Sequence, residues 1–97
     1  MAVAAAFMLP AGRARAEETA VNIDNFTFEP KEMKVKIGTT VNWKNRDDIP
    51  HTVVSAGKFR SRTMDTDGTF SFTFTAPGEY KYFCSLHPHM TGSVKVE

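Results

Sequence analysis

The sequence predicts an all-β protein with the architecture of a Greek-key β-sandwich of seven to eight strands. Three features of the chain indicate this fold. Apolar and polar residues alternate in short runs, turn residues separate the runs at roughly the 8–12-residue spacing of sandwich strands, and no segment carries the apolar stripe of an amphipathic helix. Because each alternating strand has one apolar face, we expect two antiparallel sheets that pack face to face.

The predicted strands follow one another along the chain from residue 21 onward. Each has β-branched or aromatic residues at alternate positions, which suits a half-buried pleated surface. The clearest run begins at Phe70 and ends at Phe74, with Ser71 and Thr73 between the phenylalanines. In chain order, the predicted strands centre on residues 21–23, 26–28, 33–37, 41–43, 51–54, 70–74, 80–82 and 94–96. Turn residues separate them, namely Glu29-Pro30, Gly38, residues 45–48, Gly57, Asp67-Gly68 and Pro77-Gly78.

The composition describes one small domain. The chain has 97 residues, 41% of them hydrophobic, and its 12 basic and 11 acidic side chains give a net charge of +1. This balance provides no extended basic surface for nucleic acid, and no apolar run approaches the roughly 20 residues that span a bilayer. The single cysteine, Cys84, excludes an intramolecular disulfide. We therefore expect a small soluble protein that neither binds nucleic acid nor spans a membrane.

Residues 1–16 have the features of a secretory signal peptide. Residues 2–9 form a short Ala-rich apolar run, and Ala14-Arg15-Ala16 has the small-x-small pattern of a signal-peptidase site. We expect cleavage after Ala16, export to the periplasm, and a mature single domain of residues 17–97 with one net negative charge. The alternative is an Ala-rich tail on a cytosolic protein. Cysteines of exported proteins normally pair, so an unpaired Cys84 indicates another role.

Soft metal donors are concentrated near the C-terminus. Cys84, His87 and Met90 are spaced three residues apart in a short loop between two predicted strands. Thiolate and thioether are soft donors and imidazole is borderline, so this set suits copper better than magnesium, calcium or manganese. A second imidazole is available from His51, which lies where a loop enters a predicted strand. Two histidines, one cysteine and a weak axial methionine form the blue-copper electron-transfer arrangement.

Residues 84–90 (CSLHPHM) resemble the ligand loop of the cupredoxins. The spacing between His87 and Met90 is closer to amicyanin than to plastocyanin. Residues 43–51 (WKNRDDIPH) and 72–84 (FTFTAPGEYKYFC) are also similar to the family's segments before its first histidine and its cysteine. The chain departs from amicyanin in two ways. The mature N-terminus expected after cleavage would begin close to the first strand, where amicyanin carries an extra segment, and His89 stands where an aromatic residue is usual.

The resemblance implies a mononuclear type 1 copper protein that carries single electrons. His51 Nδ1, Cys84 Sγ and His87 Nδ1 would be the main ligands, and Met90 Sδ the axial one. His87 would also be the exposed route for the electron, and His89 could compete with it as a ligand.

Three further residues would support this site by analogy with the family. The backbone N–H of Thr52 would lie beside the thiolate, and Asn45 would bridge the His51 loop to the loop of Ser85. An apolar patch around the exposed imidazole would include Leu86, Pro88 and Pro50, with rim charges from Arg46, Asp47 and Asp48. The implied partners are redox proteins, a periplasmic dehydrogenase and a c-type cytochrome, and we expect a monomer.

Other functions remain open at the level of sequence. A periplasmic copper carrier or chaperone would use the same ligands but would release the metal readily. Cysteine and histidine also bind Zn²⁺ in structural sites. A copper enzyme is the weakest alternative, because further metal centres need more histidines than the three present. We see no Ser-His-Asp set, phosphate-binding glycine loop or carboxylate pair.

Overall fold

The computed structural model describes residues 17–97, and these residues form two packed β-sheets. The predicted signal peptide and its cleavage site lie outside this part. Within residues 17–97 there is no helix of the length and apolarity needed to cross a membrane. In chain order the strands are β1 (Glu18–Asp24), β2 (Thr27–Glu29), β3 (Glu32–Val35), β4 (Thr40–Asn45), β5 (Val54–Ser55), β6 (Phe59–Arg60), β7 (Thr69–Thr73), β8 (Gly78–Cys84) and β9 (His87–Val96). The all-β prediction is confirmed, with two of the nine strands only two residues long.

The strand order differs from the expectation of two purely antiparallel sheets. One sheet has the order β3-β9-β8-β5-β6 and the other β2-β1-β4-β7. The pairs β1–β4 and β3–β9 are parallel, with Val21 opposite Trp43 and Val94 opposite Met33. The parallel pairs arise because the chain passes to the other sheet for β3 and returns for β4. Alternation of side chains identifies a strand but not its neighbours, so the antiparallel expectation is wrong for these two pairs.

The core lies between the two sheets around Trp43. This ring is fully buried and packs against Phe59, Phe70 and Tyr82, with ring-centroid distances of 5.6, 5.7 and 5.4 Å. Aromatic pairs of this kind contribute about 0.5–1.5 kcal/mol beyond the area they bury. Because Trp43 is on β4 and Tyr82 on β8, the packing joins the two sheets.

Two apolar residues assigned to predicted strands are exposed instead. Phe26 is 46% exposed and Ile37 is 51% exposed. Phe26 has a left-handed backbone (φ 61°) in the turn between β1 and β2, and Ile37 precedes Gly38 (φ 96°) in the turn before β4. The sequence assignment is wrong here because the turns interrupt the alternation that places apolar residues on one face.

Gly92 on β9 is required by close contact with Tyr82, its partner on β8. A Cβ atom at position 92 would lie 2.5 Å from both Cζ and Oη of Tyr82. The Tyr82 ring cannot easily move, because it is also packed edge-on against Phe28 at 4.8 Å. We expect Gly92→Ala to lower the free energy of unfolding by about 1–3 kcal/mol through overpacking.

Urea denaturation of the metal-free protein measures this effect, and Thr91→Ala is the matched control. Thr91 is the preceding residue on β9 and is exposed, so its truncation should change the free energy of unfolding by less than about 0.5 kcal/mol. Equal stability of Gly92→Ala and the parent protein would contradict the close contact.

Candidate metal centre

His51 is fixed in the interior before β5 begins. Its backbone N–H donates to the Met64 carbonyl (3.1 Å), and its carbonyl accepts from the Met64 N–H (2.9 Å). The His51 side chain is fully buried. Met64 was not identified from the sequence, because this isolated bridge joins two segments without strand alternation. The bridge fixes the backbone from which the imidazole projects.

Cys84 ends β8, and His87 begins β9 directly opposite it. The Cys84 Sγ atom lies 3.7 Å from His51 Nδ1 and 3.6 Å from His87 Nδ1. The potential ligand atoms of all three residues lie within 4.8 Å of one another. The register between β8 and β9 shifts between His87 and Thr91, and the buried Met90 lies in this irregular segment. The fold therefore brings His51, 33 residues upstream in sequence, to Cys84.

Cys84 has an environment that favours its thiolate. Burial opposes ionisation, but the Thr52 N–H donates to Sγ over 3.3 Å and the two imidazoles lie close to the sulfur. The Thr52 hydroxyl adds a longer contact of 3.7 Å. Together these hydrogen bonds lower the pKa of Cys84 to about 6. The thiolate is the form that binds metals.

We expect the metal-free protein to show this pKa directly. Ultraviolet absorbance of the thiolate should titrate near pH 6, far below the pKa of 9.0 for an ordinary thiol. Because the folded pKa is lower than the unfolded one, the unfolded state binds more protons between these values. Stability should therefore rise as pH increases from about 6 to 9 and be lost as pH falls through 6. Cys84→Ser is the control that should lack both the titration and this part of the pH dependence.

Thr52, rather than Asn45, joins the two loops of the site. The Ser85 N–H donates to Thr52 Oγ1 (2.8 Å), and the two side-chain hydroxyls are also 2.8 Å apart. The Asn45 side chain instead donates to the carbonyls of Ile49 and Met64, both at 2.9 Å. Asn45 therefore braces the His51 loop internally, and the expected contact with the Ser85 loop is replaced by that of Thr52.

Asp47 turns inward and contacts His51. Its carboxylate Oδ2 lies 2.7 Å from His51 Nε2, and the Asp47 side chain is only 12% exposed. Burial works against the charge, but hydrogen bonds from the N–H groups of Phe26 and Asn25, and from His51, lower the pKa of Asp47. The sequence suggested a rim charge because nothing local distinguishes Asp47 from Asp48, which is exposed.

Exposed apolar residues flank the two candidate histidines in the sequence. Leu86 and Pro88 lie on either side of His87, Pro50 precedes His51, and all three are exposed. Phe26 joins them, with its ring centroid 5.2 Å from that of His87. His89 is exposed beside a groove that Phe26 also lines, outside the cluster of His51, Cys84 and His87. His87 is half-buried, so one ligand candidate reaches the surface beside exposed apolar side chains.

The donor set fits copper. One thiolate and two imidazole nitrogens already point toward each other, and a buried methionine lies three residues beyond His87. Zinc accepts thiolate and imidazole as well, whereas a thioether is a soft ligand suited to copper.

Similar proteins support this chemistry. The cupredoxin-like domain family matches residues 1–96. Amicyanin of Paracoccus denitrificans is 37% identical over 83 residues, which cover 79% of this chain and 63% of the relative. Amicyanin-alpha of Methylorubrum extorquens is 34% identical over an alignment 102 residues long, which covers 99% of this chain and 86% of the relative.

A solved structure agrees with the sequence relatives. The Cu(I) form of an amicyanin mutant is 35% identical and superposes with a TM-score of 0.79, over 82% of each chain. The chain thus spans less than two thirds of the length of Paracoccus denitrificans amicyanin but most of Methylorubrum extorquens amicyanin-alpha. Because the family match extends over almost all of its residues, the chain belongs to the cupredoxin-like family.

Proposed function

We propose that this protein is a copper-dependent carrier of single electrons, and not an enzyme. The observation that carries the proposal is the approach of Cys84 Sγ to the Nδ1 atoms of His51 and His87, at 3.7 and 3.6 Å. His51, Cys84 and His87 are the main ligands of one copper ion, and Met90 is the weaker fourth. Bound copper supplies the one-electron change between Cu(II) and Cu(I).

The protein contributes ligands whose positions are set before metal binding. Hydrogen bonds to Met64 hold the backbone of His51, and the pairing of β8 with β9 places His87 opposite Cys84. Side chains held on a rigid sandwich rearrange little when the charge of the centre changes, which favours rapid electron exchange. A copper carrier or chaperone would instead benefit from ligands that separate easily.

Electrons enter and leave through the half-buried His87. Leu86 and Pro88 flank it in the sequence, Pro50 precedes His51, and all three are exposed; these residues would form an apolar surface suited to brief redox contacts that bury less than about 1,200 Å². The exposed charges of Arg46 and Asp48 adjust the association rate more than the affinity. The partners are redox proteins, a periplasmic dehydrogenase as donor and a c-type cytochrome as acceptor.

The protein works as an exported monomer. Cleavage after Ala16 releases residues 17–97 into the periplasm, where both proposed partners are accessible. The related amicyanins support the assignment to this class of carrier. N-terminal sequencing of the secreted protein and its sedimentation behaviour test the cleavage site and the monomeric state.

Visible and electron paramagnetic resonance spectra of the copper-loaded protein test the proposed function. We expect an intense thiolate-to-Cu(II) charge-transfer band, while the zinc-loaded protein, as the control, stays colourless. Slow copper loss to a chelator together with fast electron self-exchange supports a carrier of electrons. Rapid copper loss with slow self-exchange identifies a metal carrier. A Cu(II)-loaded protein without the charge-transfer band refutes the proposal.

Met90→Gln tests the role of the fourth ligand. We expect the colour to remain, because the thiolate and imidazoles are unchanged, and the reduction potential to fall, because an oxygen donor is harder than a thioether and favours Cu(II). Voltammetry measures the potential, with Met33→Gln as the control. Met33 is half-buried on β3, and its replacement should leave the potential unchanged. An unchanged potential in Met90→Gln would exclude Met90 as a ligand.

A further inference from the structure

The carboxylate of Asp47 binds three donors from two parts of the chain. Oδ1 accepts from the Asn25 N–H (2.6 Å), and Oδ2 accepts from the Phe26 N–H (3.0 Å). Oδ2 also lies 2.7 Å from His51 Nε2. A carboxylate can only accept hydrogen bonds, so His51 must carry its proton on Nε2. Nδ1 is the nitrogen that faces Cys84 Sγ, and in the neutral ring it is the one whose lone pair can bind a metal.

The turn that supplies two of these donors has an unusual backbone. Asn25 and Phe26 are consecutive non-glycine residues with positive φ, 53° and 61°. A left-handed backbone conformation costs free energy in residues other than glycine. Hydrogen bonds from another part of the chain must offset this cost. Successive N–H groups in such a turn converge on one side and form a concavity for an anion, and the Asp47 carboxylate occupies it.

The same turn places the Phe26 ring against both candidate histidine ligands. Its centroid lies 5.7 Å from that of His51, at an interplanar angle of 88°, and 5.2 Å from that of His87, at 87°. Both contacts are edge-to-face arrangements, the favoured geometry for aromatic rings. Because His51 is fully buried and Phe26 is exposed, the phenyl ring covers the imidazoles on the solvent side.

We propose that Asp47 is a positioning residue of the metal centre, which acts through the amides of Asn25 and Phe26 to seat the Phe26 ring over His51 and His87. The Asp47 carboxylate thus determines which nitrogen of His51 carries a proton. It also orders the Phe26 ring, which limits rotation of the half-buried His87 side chain. The role in metal retention rests on the proposed copper function. The local structure itself exists without metal.

Nuclear magnetic resonance of the metal-free protein tests the local structure. In Asp47→Asn, one carboxylate oxygen becomes an NH₂ group that cannot accept a hydrogen bond, while the remaining oxygen can still accept from one of the two backbone N–H groups. We expect the amide hydrogen exchange of the residue left without an acceptor, Asn25 or Phe26, to accelerate by roughly tenfold or more and the ring-current shifts of the His51 and His87 side chains to decrease. Asp48→Asn removes the same charge one residue away and should change neither signal.

Copper release to a chelator tests the functional consequence. We expect Asp47→Asn and Phe26→Ala each to accelerate release by roughly tenfold, as is typical when a residue supporting a metal ligand is lost. Phe26 is exposed, so its truncation leaves the core intact. Ile37→Ala removes a similarly exposed apolar side chain at the opposite end of β4 and should release copper at the parental rate.

A double-mutant cycle distinguishes action through Phe26 from independent effects. If Asp47 acts through the ring, Asp47→Asn combined with Phe26→Ala should release copper more slowly than the product of the single effects predicts. Full multiplicativity, or protected amides in Asp47→Asn, would overturn the proposal. A parent protein that binds no coloured copper would refute the proposed function instead, and the metal-free resonance measurement would still decide whether Asp47 orders Phe26.

Discussion

Cys84→Ser is expected to abolish the intense visible band of the copper-loaded protein completely. The band requires charge transfer from a thiolate, and Cys84 is the only cysteine in the chain. Copper affinity should also fall by more than the roughly 10–100-fold associated with partners that only support a ligand. Absorption spectroscopy and competition with a chelator measure the two effects.

The serine variant should still fold. A hydroxyl at position 84 can accept the hydrogen bond that the Thr52 N–H now donates to Sγ, so no buried donor is left without a partner. The matched control is Ser85→Ala, which changes the adjacent residue and leaves Cys84, His51 and His87 in place. A coloured Cys84→Ser protein, or a colourless Ser85→Ala protein, would contradict the assignment of the thiolate.

The main features of fold and site were predictable because they depend on local patterns. The two-residue alternation of phenylalanine with polar residues identified β7, and donor spacing identified Cys84 and His87. His51 required an assumption about which distant strands approach each other. The structure brings its Nδ1 to within 3.7 Å of the sulfur.

The features that escaped prediction depend on long-range contacts. The left-handed turn at Phe26 contains no glycine, so the sequence resembles a strand there. Its stabilising partner, Asp47, lies 21 residues away, and adjacent acidic residues give no sign of which one turns inward. Parallel pairing of β1 with β4 was missed for the same reason, because strand partners depend on the path between sheets.

Asn45→Ala is expected to cause the largest loss of stability of any substitution outside the proposed metal ligands. Asn45 is completely buried at the end of β4. It donates to the carbonyls of Ile49 and Met64, and its Oδ1 accepts from the Asp47 N–H at 2.9 Å. Without the Asn45 side chain, the Ile49 carbonyl and the Asp47 N–H lose this partner, whereas the Met64 carbonyl keeps the His51 N–H. At about 1–3 kcal/mol for each unpartnered group, we expect the free energy of unfolding to fall by about 2–6 kcal/mol, a large part of the roughly 5–15 kcal/mol of a typical domain.

Urea denaturation of the metal-free protein measures this loss, and Asn42→Ala is the matched control. Asn42 is the same residue type on the same strand, but its hydrogen bonds to Glu18 and Ser71 lie at exposed positions, so its removal should cost less than about 1 kcal/mol. Equal losses in the two variants would show that burial of Asn45 is unimportant.

Because the Met64 carbonyl accepts from both Asn45 and the His51 N–H, loss of Asn45 also loosens the segment that positions the imidazole. Copper uptake by Asn45→Ala should then be slower than by Asn42→Ala, since His51 must be ordered during binding rather than before it.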